Sequence, residues 1–442
     1  EDLECFAAAS PHLVSMLLAP EGDLDALDIP TLRSYAEAIE GPYSSQWQAA
    51  MDDEMAFWKS TGTFVDEVPP PGANIVSGMW IFRGVDFFQT FSPTPKMTTL
   101  LVLLHVAAQR DYKLHSLDFS TAFLQGSLHK EIWPRRPPGF TGSFPAGTQW
   151  SLRRPVYGLR QAPLEWHDTL RTTLATLGFA PSTADPSLFL CTYATLPPFY
   201  VLVYVDDLVF ATADTEALAH VKSELQKRHT STDLGELTSY LGLRITRDRA
   251  QRTITLTQSH MVQQVLQRFG FTYSSPQSTP LPTGHSLSAP PSDESVEPSG
   301  QYPELVGCLI TSGMGLVLGG RASVVLIDHA DASWVDDLAT QQSSQGYTFS
   351  LGSGSVSWRS TRSSSVLSSS CEAEIYAGAM AAQELRWLTY LLTDLGEAPR
   401  SPPVLYVDNK AMLALCQEDR LEHRTKHIAL RYFLARELQQ RG

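Results

Sequence analysis

One stretch near the middle of the chain has the clearest hydrophobic pattern. From Phe199 to Thr212 almost every residue is apolar, apart from the adjacent acids Asp206 and Asp207. Apolar runs on both sides of a short tip predict a hairpin of two strands that are buried on both faces. Burying adjacent carboxylates costs free energy unless a cation holds them. The alternative is a turn whose acids simply point to solvent, since Asp is common in turns.

Further elements follow from the same patterns, and together they predict an α+β protein. Helices are predicted from caps at Ser44 and Ser45 to Gly62, over Lys96–Gln109, from Pro163 to Gly178, from a cap at Asp214 or Thr215 past Leu225, through Val262 to Gly270, and from Ala373 to Gly396. Strands are predicted near Ile75–Arg83, Tyr112–Phe119, Trp150–Leu152, Leu241–Ile245, Thr253–Leu256, Val324–Ile327, Tyr347–Phe349, Val356–Trp358 and Val404–Asp408. The short strands after residue 320 predict an antiparallel meander.

Acidic residues stand at or just beyond the ends of several predicted strands. Strand alternation places Leu114, Ser116 and Asp118 on one face, so that Asp118 emerges at the strand end. Two groups of acids result, and we expect each to form a carboxylate-only metal site: Asp118, Asp206 and Asp207 in the first part, and Asp331, Glu374 and Asp408 in the second. Hard oxygen ligands suit Mg²⁺ or Mn²⁺. Such sites serve phosphoryl transfer with paired ions, without a protein nucleophile.

Length, charge and cysteine content narrow the class. A chain of 442 residues with 43% hydrophobic content is long enough for two or more cores, and the Pro-rich stretch 281–301 predicts a linker between them. A net charge of −14 argues against nucleic-acid binding through an overall basic surface. The basic cluster at 244–252 is either a local phosphate contact or a solvated charged face. Five cysteines without metal-ligand spacing indicate neither disulfides nor zinc.

The ordered series of motifs resembles the reverse transcriptase of copia-type long-terminal-repeat retrotransposons over residues 34–309, and its ribonuclease H domain over residues 311–442. The resemblance rests on these segments: Trp47-Gln48-Ala49-Ala50-Met51, Leu117-Asp118-Phe119-Ser120-Thr121-Ala122-Phe123-Leu124, Pro137-Pro138-Gly139-Phe140, Tyr157-Gly158-Leu159-Arg160-Gln161-Ala162-Pro163, Ala184-Asp185-Pro186, Tyr204-Val205-Asp206-Asp207, Asp233-Leu234-Gly235-Glu236 and Ser278-Thr279-Pro280.

The resemblance implies a right-hand polymerase with palm and reduced fingers, followed by an incomplete ribonuclease H-like α/β domain. Its palm carboxylates would be Asp118, Asp206 and Asp207. Phe123 would crowd the sugar 2′ position of the incoming nucleotide, or else is a core phenylalanine. Tyr157 and Gly158 would contact nucleotide and template, or else form a turn that leads a helix. The remaining implied residues are Tyr204 beside the nucleotide, Leu234-Gly235-Glu236 as a structural palm turn, and Asp331, Glu374 and Asp408 as ribonuclease H ligands.

Glu374 is preferred to Glu372 as the second-site acid, because the family's catalytic acid stands at this spacing before a small helical residue, here Ala377. Glu372 is expected to be the anion at the helix start. The domains implied are a poorly ordered leader over 1–33, the reverse transcriptase over 34–280, the linker over 281–301, a remnant of the connection region over 302–311, and the ribonuclease H-like domain over 312–442.

Three family segments have no counterpart, which predicts an internally deleted and C-terminally truncated copy. They are the basic fingers segment between Arg83 and Gly84, the connection region after Leu309, and the last ribonuclease H strand and helix beyond Gly442. The alternative to an active polymerase is therefore a catalytically inactive remnant that at most binds nucleic acid. Expected partners are an RNA template, a DNA primer, an RNA/DNA hybrid and dNTPs, and no membrane. The expected location is the cytoplasm, including virus-like particles, or the nucleus, without secretion.

Overall fold

A computed structural model describes most of the two parts of the chain. The described residues are 35–73, 94–128, 131–136, 147–156, 161–193, 197–259, 315–321, 325–337, 340–399 except 353 and 365, and 402–410, with the short pieces 5–8, 75–76, 78–81, 159, 262–263, 267 and 413. The predicted linker over 281–301, and Tyr157 and Gly158 among the predicted site residues, lie outside them.

Six α-helices are described, and a 3₁₀ turn over Ala122–Gln125 follows the strand that carries Asp118. The helices are α1 at Tyr35–Glu40, α2 at Ser44–Ser60, α3 at Met97–Gln109, α4 at Ala162–Thr176, α5 at Thr215–Arg228 and α6 at Ser370–Asp394. Asp214 caps α5, because its side chain accepts hydrogen bonds from the amides of Glu216 and Ala217. The predicted caps of α2 are wrong: Tyr43 is the residue before its first turn, and the Ser45 hydroxyl bonds to the Gln46 side chain instead.

The strands form six sheets among the described residues, of which three are large enough to shape a core. In chain order the strands are β1 Cys5–Ala8, β2 Phe64–Glu67, β3 Ile75–Val76, β4 Gly78–Ile81, β5 Lys113–Phe119, β6 Trp133–Pro134, β7 Gln149–Leu152, β8 Phe179–Pro181, β9 Leu188–Cys191, β10 Phe199–Tyr204, β11 Asp207–Thr212, β12 Ser231–Glu236, β13 Ser239–Tyr240, β14 Leu243–Asp248, β15 Thr253–Thr257, β16 Leu316–Gly319, β17 Leu326–Asp337, β18 Gln342–Leu351, β19 Gly354–Arg362 and β20 Val404–Tyr406.

The first large sheet has the order β12-β5-β11-β10-β9-β8, and we call it the palm sheet. Its central strands are buried on both faces, as their apolar sequence predicts. In β10, Val201 and Val203 belong to a core shared with α2, α4 and α5, whereas Tyr200 and Leu202 belong to a second core shared with α3 and α6. A strand with apolar residues at every position therefore separates two cores.

The second large sheet, in the order β19-β18-β17-β20, carries α6 on one face. Strands β17 to β19 pair in sequence as the predicted antiparallel meander, and β20 adds in parallel to β17. The third sheet, β13-β14-β15-β16, links the two parts, because β16 pairs with β15 although the predicted linker separates them in sequence. Helices and sheets are thus mixed throughout, and the α+β class is confirmed.

Leu234-Gly235-Glu236 lies inside β12, where a bulge between Asp233 and Gly235 shifts the register, and Gly235 has a φ of 75°. The segment is therefore a bulged strand, not a turn, and Gly235 permits it because glycine tolerates a positive φ. No helix among the described residues is both long and apolar enough to cross a bilayer.

Candidate functional site

Strand register brings the first group of acids to one end of the palm sheet. Strands β10 and β11 are antiparallel, and Tyr204 pairs with Asp207 across a two-residue loop, Val205 and Asp206. Strand β11 is also antiparallel to β5, and there Asp207 stands directly opposite Asp118. Asp206 is tied to the same strand end, because its carbonyl accepts a hydrogen bond of 2.9 Å from the amide of Phe119. The backbone thus holds all three acids at the hairpin tip.

The hairpin loop holds a backbone conformation that its residue disfavours. Val205 has a φ of 55°, which is strained for a β-branched side chain. The buried indole of Trp166 supports this loop, since its Nε1 donates a 2.7 Å hydrogen bond to the Val205 carbonyl. Trp166 also packs edge-on against Phe119, with ring centroids 5.0 Å apart. Trp166 is therefore a positioning residue for the hairpin loop. The sequence pattern did not predict this role, because an apolar residue of α4 four positions after Ala162 gives no signal of a contact with Val205.

Burial raises the pKa of two of these acids, Asp207 and Asp118. The pKa of Asp207 rises from 3.8 to about 7, chiefly because of burial and then because of the charges of Asp206 and Asp118. Burial also raises the pKa of Asp118. A buried Asp207 whose ionised form is disfavoured by two neighbouring acids marks a place where a cation would offset both the burial and the repulsion.

The other predicted polymerase residues have mixed positions. Phe123 is 2% exposed in the palm core, which agrees with the alternative of a core phenylalanine; a role beside a nucleotide stays a prediction. Tyr204 is half-buried at the end of β10, next to the acidic tip. Tyr157 and Gly158 cannot be placed, because they lie outside the described residues.

The second group of acids is a tight cluster. Asp331, Glu374 and Asp408 each offer a carboxylate oxygen, and these oxygens all lie within 4.8 Å of one another. Asp331 comes from β17, Glu374 from the first turns of α6, and Asp408 from the residues just after β20, so three elements converge. Among the described residues only this group of three meets that distance, and the palm acids are more widely spaced.

Glu374 is the buried acid of the second cluster. Its side chain is 6% exposed, and its Oε2 is buried without a hydrogen-bond partner among the described residues. Burial, then the charges of Asp408 and Asp331, raise its pKa from 4.5 to about 7. An orphaned carboxylate oxygen beside two exposed carboxylates fits a divalent cation.

Glu372 has a separate task in the same helix. Its Oε2 accepts hydrogen bonds of 2.7 Å from the amide and the hydroxyl of Ser368, while the Ser369 hydroxyl accepts one from the Glu372 amide. The Ser369 hydroxyl therefore caps the start of α6, and Glu372 reaches back to Ser368, the residue before that cap. The expected division of roles agrees with it, since Glu372 serves the helix and Glu374 faces the acids.

Residues of two charged motifs form ion pairs with other residues of the protein. The Asp233 carboxylate accepts a 2.5 Å hydrogen bond from the Lys222 ammonium, which is 5% exposed and also contacts His115. In the basic cluster, Arg247 and Arg249 both donate to Asp111. These contacts favour structural roles for the Asp233 motif and for the cluster at 244–252.

The family comparison covers the part of the chain that carries the hairpin of β10 and β11. Residues 71–283 match the family model described as reverse transcriptase (RNA-dependent DNA polymerase). The first part of the chain is therefore of the reverse transcriptase class.

Curated relatives extend the match to both parts. The chain is 30% identical over 471 residues to the Retrovirus-related Pol polyprotein from transposon RE2 of Arabidopsis thaliana, covering 92% of this chain and 32% of that protein. It is 28% identical over 476 residues to the corresponding polyprotein from transposon TNT 1-94 of Nicotiana tabacum, covering 92% and 36%. The chain is thus similar over most of its length to retrotransposon Pol polyproteins of the copia type, and it spans about a third of the length of these relatives.

The alignments also bear on the missing segments. They extend over 471 and 476 residues, more than the 442 residues of this chain, so these relatives have internal residues that this chain lacks. Among solved structures, the foamy viral protease-reverse transcriptase in complex with dsDNA has a TM-score of 0.44 at 13% identity, covering 93% of this chain and 83% of that one. A likeness of that size is too weak to bear on function.

Proposed function

We propose that this chain is an RNA-directed DNA polymerase with an associated ribonuclease H, acting on nucleic acid by two-metal phosphoryl transfer. The observation that carries the proposal is the pairing of Asp207 with Asp118 across neighbouring strands, with Asp206 in the adjoining loop. The reverse transcriptase family match supports it.

The polymerase chemistry assigned to the palm acids follows from their donor set. A set of ligands made of carboxylate oxygens suits Mg²⁺ or Mn²⁺, and Asp118, Asp206 and Asp207 are the residues that would hold these ions. When bound, such ions activate the attacking oxygen and neutralise the leaving one. The chain's own part is to hold the acids: strand pairing fixes Asp118 and Asp207, and Trp166 supports the strained loop that carries Asp206.

The ribonuclease H chemistry is assigned to Asp331, Glu374 and Asp408. The orphaned Glu374 Oε2 and the close approach of three carboxylates support a metal here. Substrates proposed for the chain are an RNA template, a DNA primer and dNTPs at the palm, and an RNA/DNA hybrid at the second cluster. The proposed location is cytoplasmic, including virus-like particles, or nuclear.

A second candidate is a catalytically inactive remnant that at most binds nucleic acid. The alignment lengths favour it, because the relatives have internal residues that this chain lacks. The net charge of −14 favours it as well, because a polymerase needs basic side chains against the phosphates of its substrates.

Primer extension on an RNA template with Mg²⁺ or Mn²⁺ separates the two candidates. The proposal expects extension by the unmodified chain, its loss in Asp206→Asn, and its retention in Asp168→Asn, which removes an acid with a half-exposed side chain on α4. Equal background from the unmodified chain and Asp206→Asn would reject the polymerase and favour the remnant.

The ribonuclease H assignment has its own assay. The RNA strand of a labelled RNA/DNA hybrid is expected to be cleaved by the unmodified chain and by Asp206→Asn, but not by Asp331→Asn. Cleavage that persists in Asp331→Asn would exclude the assigned site, whatever the polymerase result.

A further inference from the structure

A short, partly buried turn, residues 182–187, lies between two helices that are distant in sequence; we call it the docking turn. On one side its Asp185 is 4% exposed and holds the start of α3. The Asp185 Oδ2 accepts a 2.5 Å hydrogen bond from the Thr99 hydroxyl and a 3.2 Å bond from the Lys96 amide. The Asp185 Oδ1 accepts a 3.0 Å bond from the Ser187 amide, which closes the turn on itself.

On its other side the docking turn meets the C-terminal end of α6. One oxygen of Asp394, Oδ2, accepts from the Ser182 hydroxyl at 2.5 Å, the Thr183 amide at 2.9 Å, the Thr183 hydroxyl at 3.1 Å and the Ala184 amide at 3.3 Å. About two turns earlier in the helix, the Trp387 indole donates a 2.8 Å hydrogen bond to the Ala184 carbonyl. Hydrogen bonds to an ionised acceptor are the strong ones.

Further contacts surround this pair. The buried Tyr200 hydroxyl of β10 donates a 2.8 Å hydrogen bond to the Leu395 carbonyl, just beyond α6. The Lys96 ammonium stands 3.7 Å from the centroid of the Trp387 ring, a cation–π geometry. The Arg110 guanidinium pairs with Glu397, but its side chain is half exposed, so this ion pair contributes little.

Apolar packing is continuous across the same boundary. Leu388, Leu391 and Leu392 of α6 are 0% exposed and belong to one core with Leu101 and Leu104 of α3. A helix that buries this face against the palm side loses that core if it separates, because the hydrophobic term is proportional to the area exposed.

We propose that the C-terminal end of α6 docks on the docking turn. This contact makes the second large sheet and the palm sheet unfold as a single cooperative unit. The segment that binds the docking turn is the C-terminal end of α6, and Asp394 is the anchor. Glu374 lies twenty residues before Asp394 in a continuous helix, which places the two residues roughly 30 Å apart along the helix axis. Docking of Asp394 therefore fixes the position of the second acidic cluster. The proposal does not depend on the proposed function, because it concerns folding and position.

The unmodified full chain gives the first test. Hydrogen exchange followed by mass spectrometry through a urea titration yields a midpoint for each segment. One common midpoint is expected for 97–109, 199–212 and 370–394. A midpoint for 370–394 that differs from the other two would overturn the proposal, since two independently folded units joined by a linker would behave in that way.

Variants give the second test. In Asp394→Ala, exchange of 370–394 under native conditions is expected to accelerate by at least about tenfold relative to 199–212, because α6 then opens without the palm. The matched control is Asp168→Ala, an acid on α4 that approaches Arg171 only at 3.9 Å, and it is expected to leave both segments unchanged.

Trp387→Phe is the variant to test if Asp394→Ala does not fold. It keeps an aromatic ring and removes only the indole donor to the Ala184 carbonyl. It is expected to accelerate exchange of 370–394 in the same direction. Exchange of 370–394 that stays coupled to 199–212 in either variant, or that changes equally in Asp168→Ala, would overturn the role of the docking turn.

Discussion

Asp328 of β17 provides the most quantitative prediction, because it is a fully buried acid without a pairing charge. It is 0% exposed, and neither carboxylate oxygen accepts a hydrogen bond of good geometry among the described residues. Burial raises its pKa from 3.8 to about 8; the nearby His329 amide offsets this in part, and the charge of Glu384 adds to it. Asp328→Asn replaces the protonated acid by a neutral group of the same shape.

The magnitude follows from proton linkage. The folded-state pKa lies above the unfolded value, so the folded chain holds a proton that the unfolded chain releases as pH rises from about 4 to about 8. Stability therefore falls by about 1.4 kcal/mol per pH unit across that window. The gain in unfolding free energy from Asp328→Asn should grow by about 3 kcal/mol between about pH 5 and about pH 7.

Urea unfolding at a series of pH values measures this difference. Asp53→Asn on the exposed face of α2 is the control, and it is expected to follow the unmodified chain at every pH. The groups that face Asp328, Glu384 and Tyr347, are the same in all three proteins. A gain from Asp328→Asn that stays constant with pH would refute the raised pKa, and a loss that grows with pH would show that the ionised carboxylate has a partner.

Three further predictions concern single hydrogen-bonding groups. Trp166→Phe removes the donor to the Val205 carbonyl and should lower the urea-unfolding free energy by about 1–2 kcal/mol, whereas an unchanged value would show that the strained loop needs no support. Ser369→Ala removes the hydroxyl that accepts from the Glu372 amide and should cost about 1 kcal/mol in thermal unfolding followed by circular dichroism; no change would argue against the cap. Tyr240→Phe removes a buried hydroxyl without a hydrogen-bond partner among the described residues and should leave stability unchanged or raise it by up to about 1 kcal/mol, so a clear loss in the same assay would contradict it.

Local pattern predicted the palm hairpin well. The apolar run from Phe199 to Thr212 folds into β10 and β11, and the alternation in β5 places Leu114 in one core and Leu117 in the other, as predicted. Continuous apolar strands allow few other outcomes, because a strand with no polar face must be covered on both sides. The candidate acids follow from the same logic, since strand ends are fixed once the strands are.

Residues that act across long sequence distances were not predictable. A positive φ at Val205 contradicts the local preference of valine and exists only because Trp166 and the strand pairing hold the loop. Asp394 looks like any acid near a helix end, and its donors lie more than two hundred residues earlier in the chain. Asp328 was missed because a lone Asp in a strand gives no sign of whether it faces helix or solvent.

The two acidic clusters reach a similar electrostatic state by different routes. In the palm sheet, Asp207 is buried by strand pairing next to acids of its own loop and of β5. In the second cluster, Glu374 lies near the N-terminal end of α6, where the helix dipole favours an anion, yet burial and two neighbouring acids still raise its pKa to about 7. A divalent cation would supply the missing charge in both places, and the proposed function would then account for acids held where burial and neighbouring charges raise their pKa.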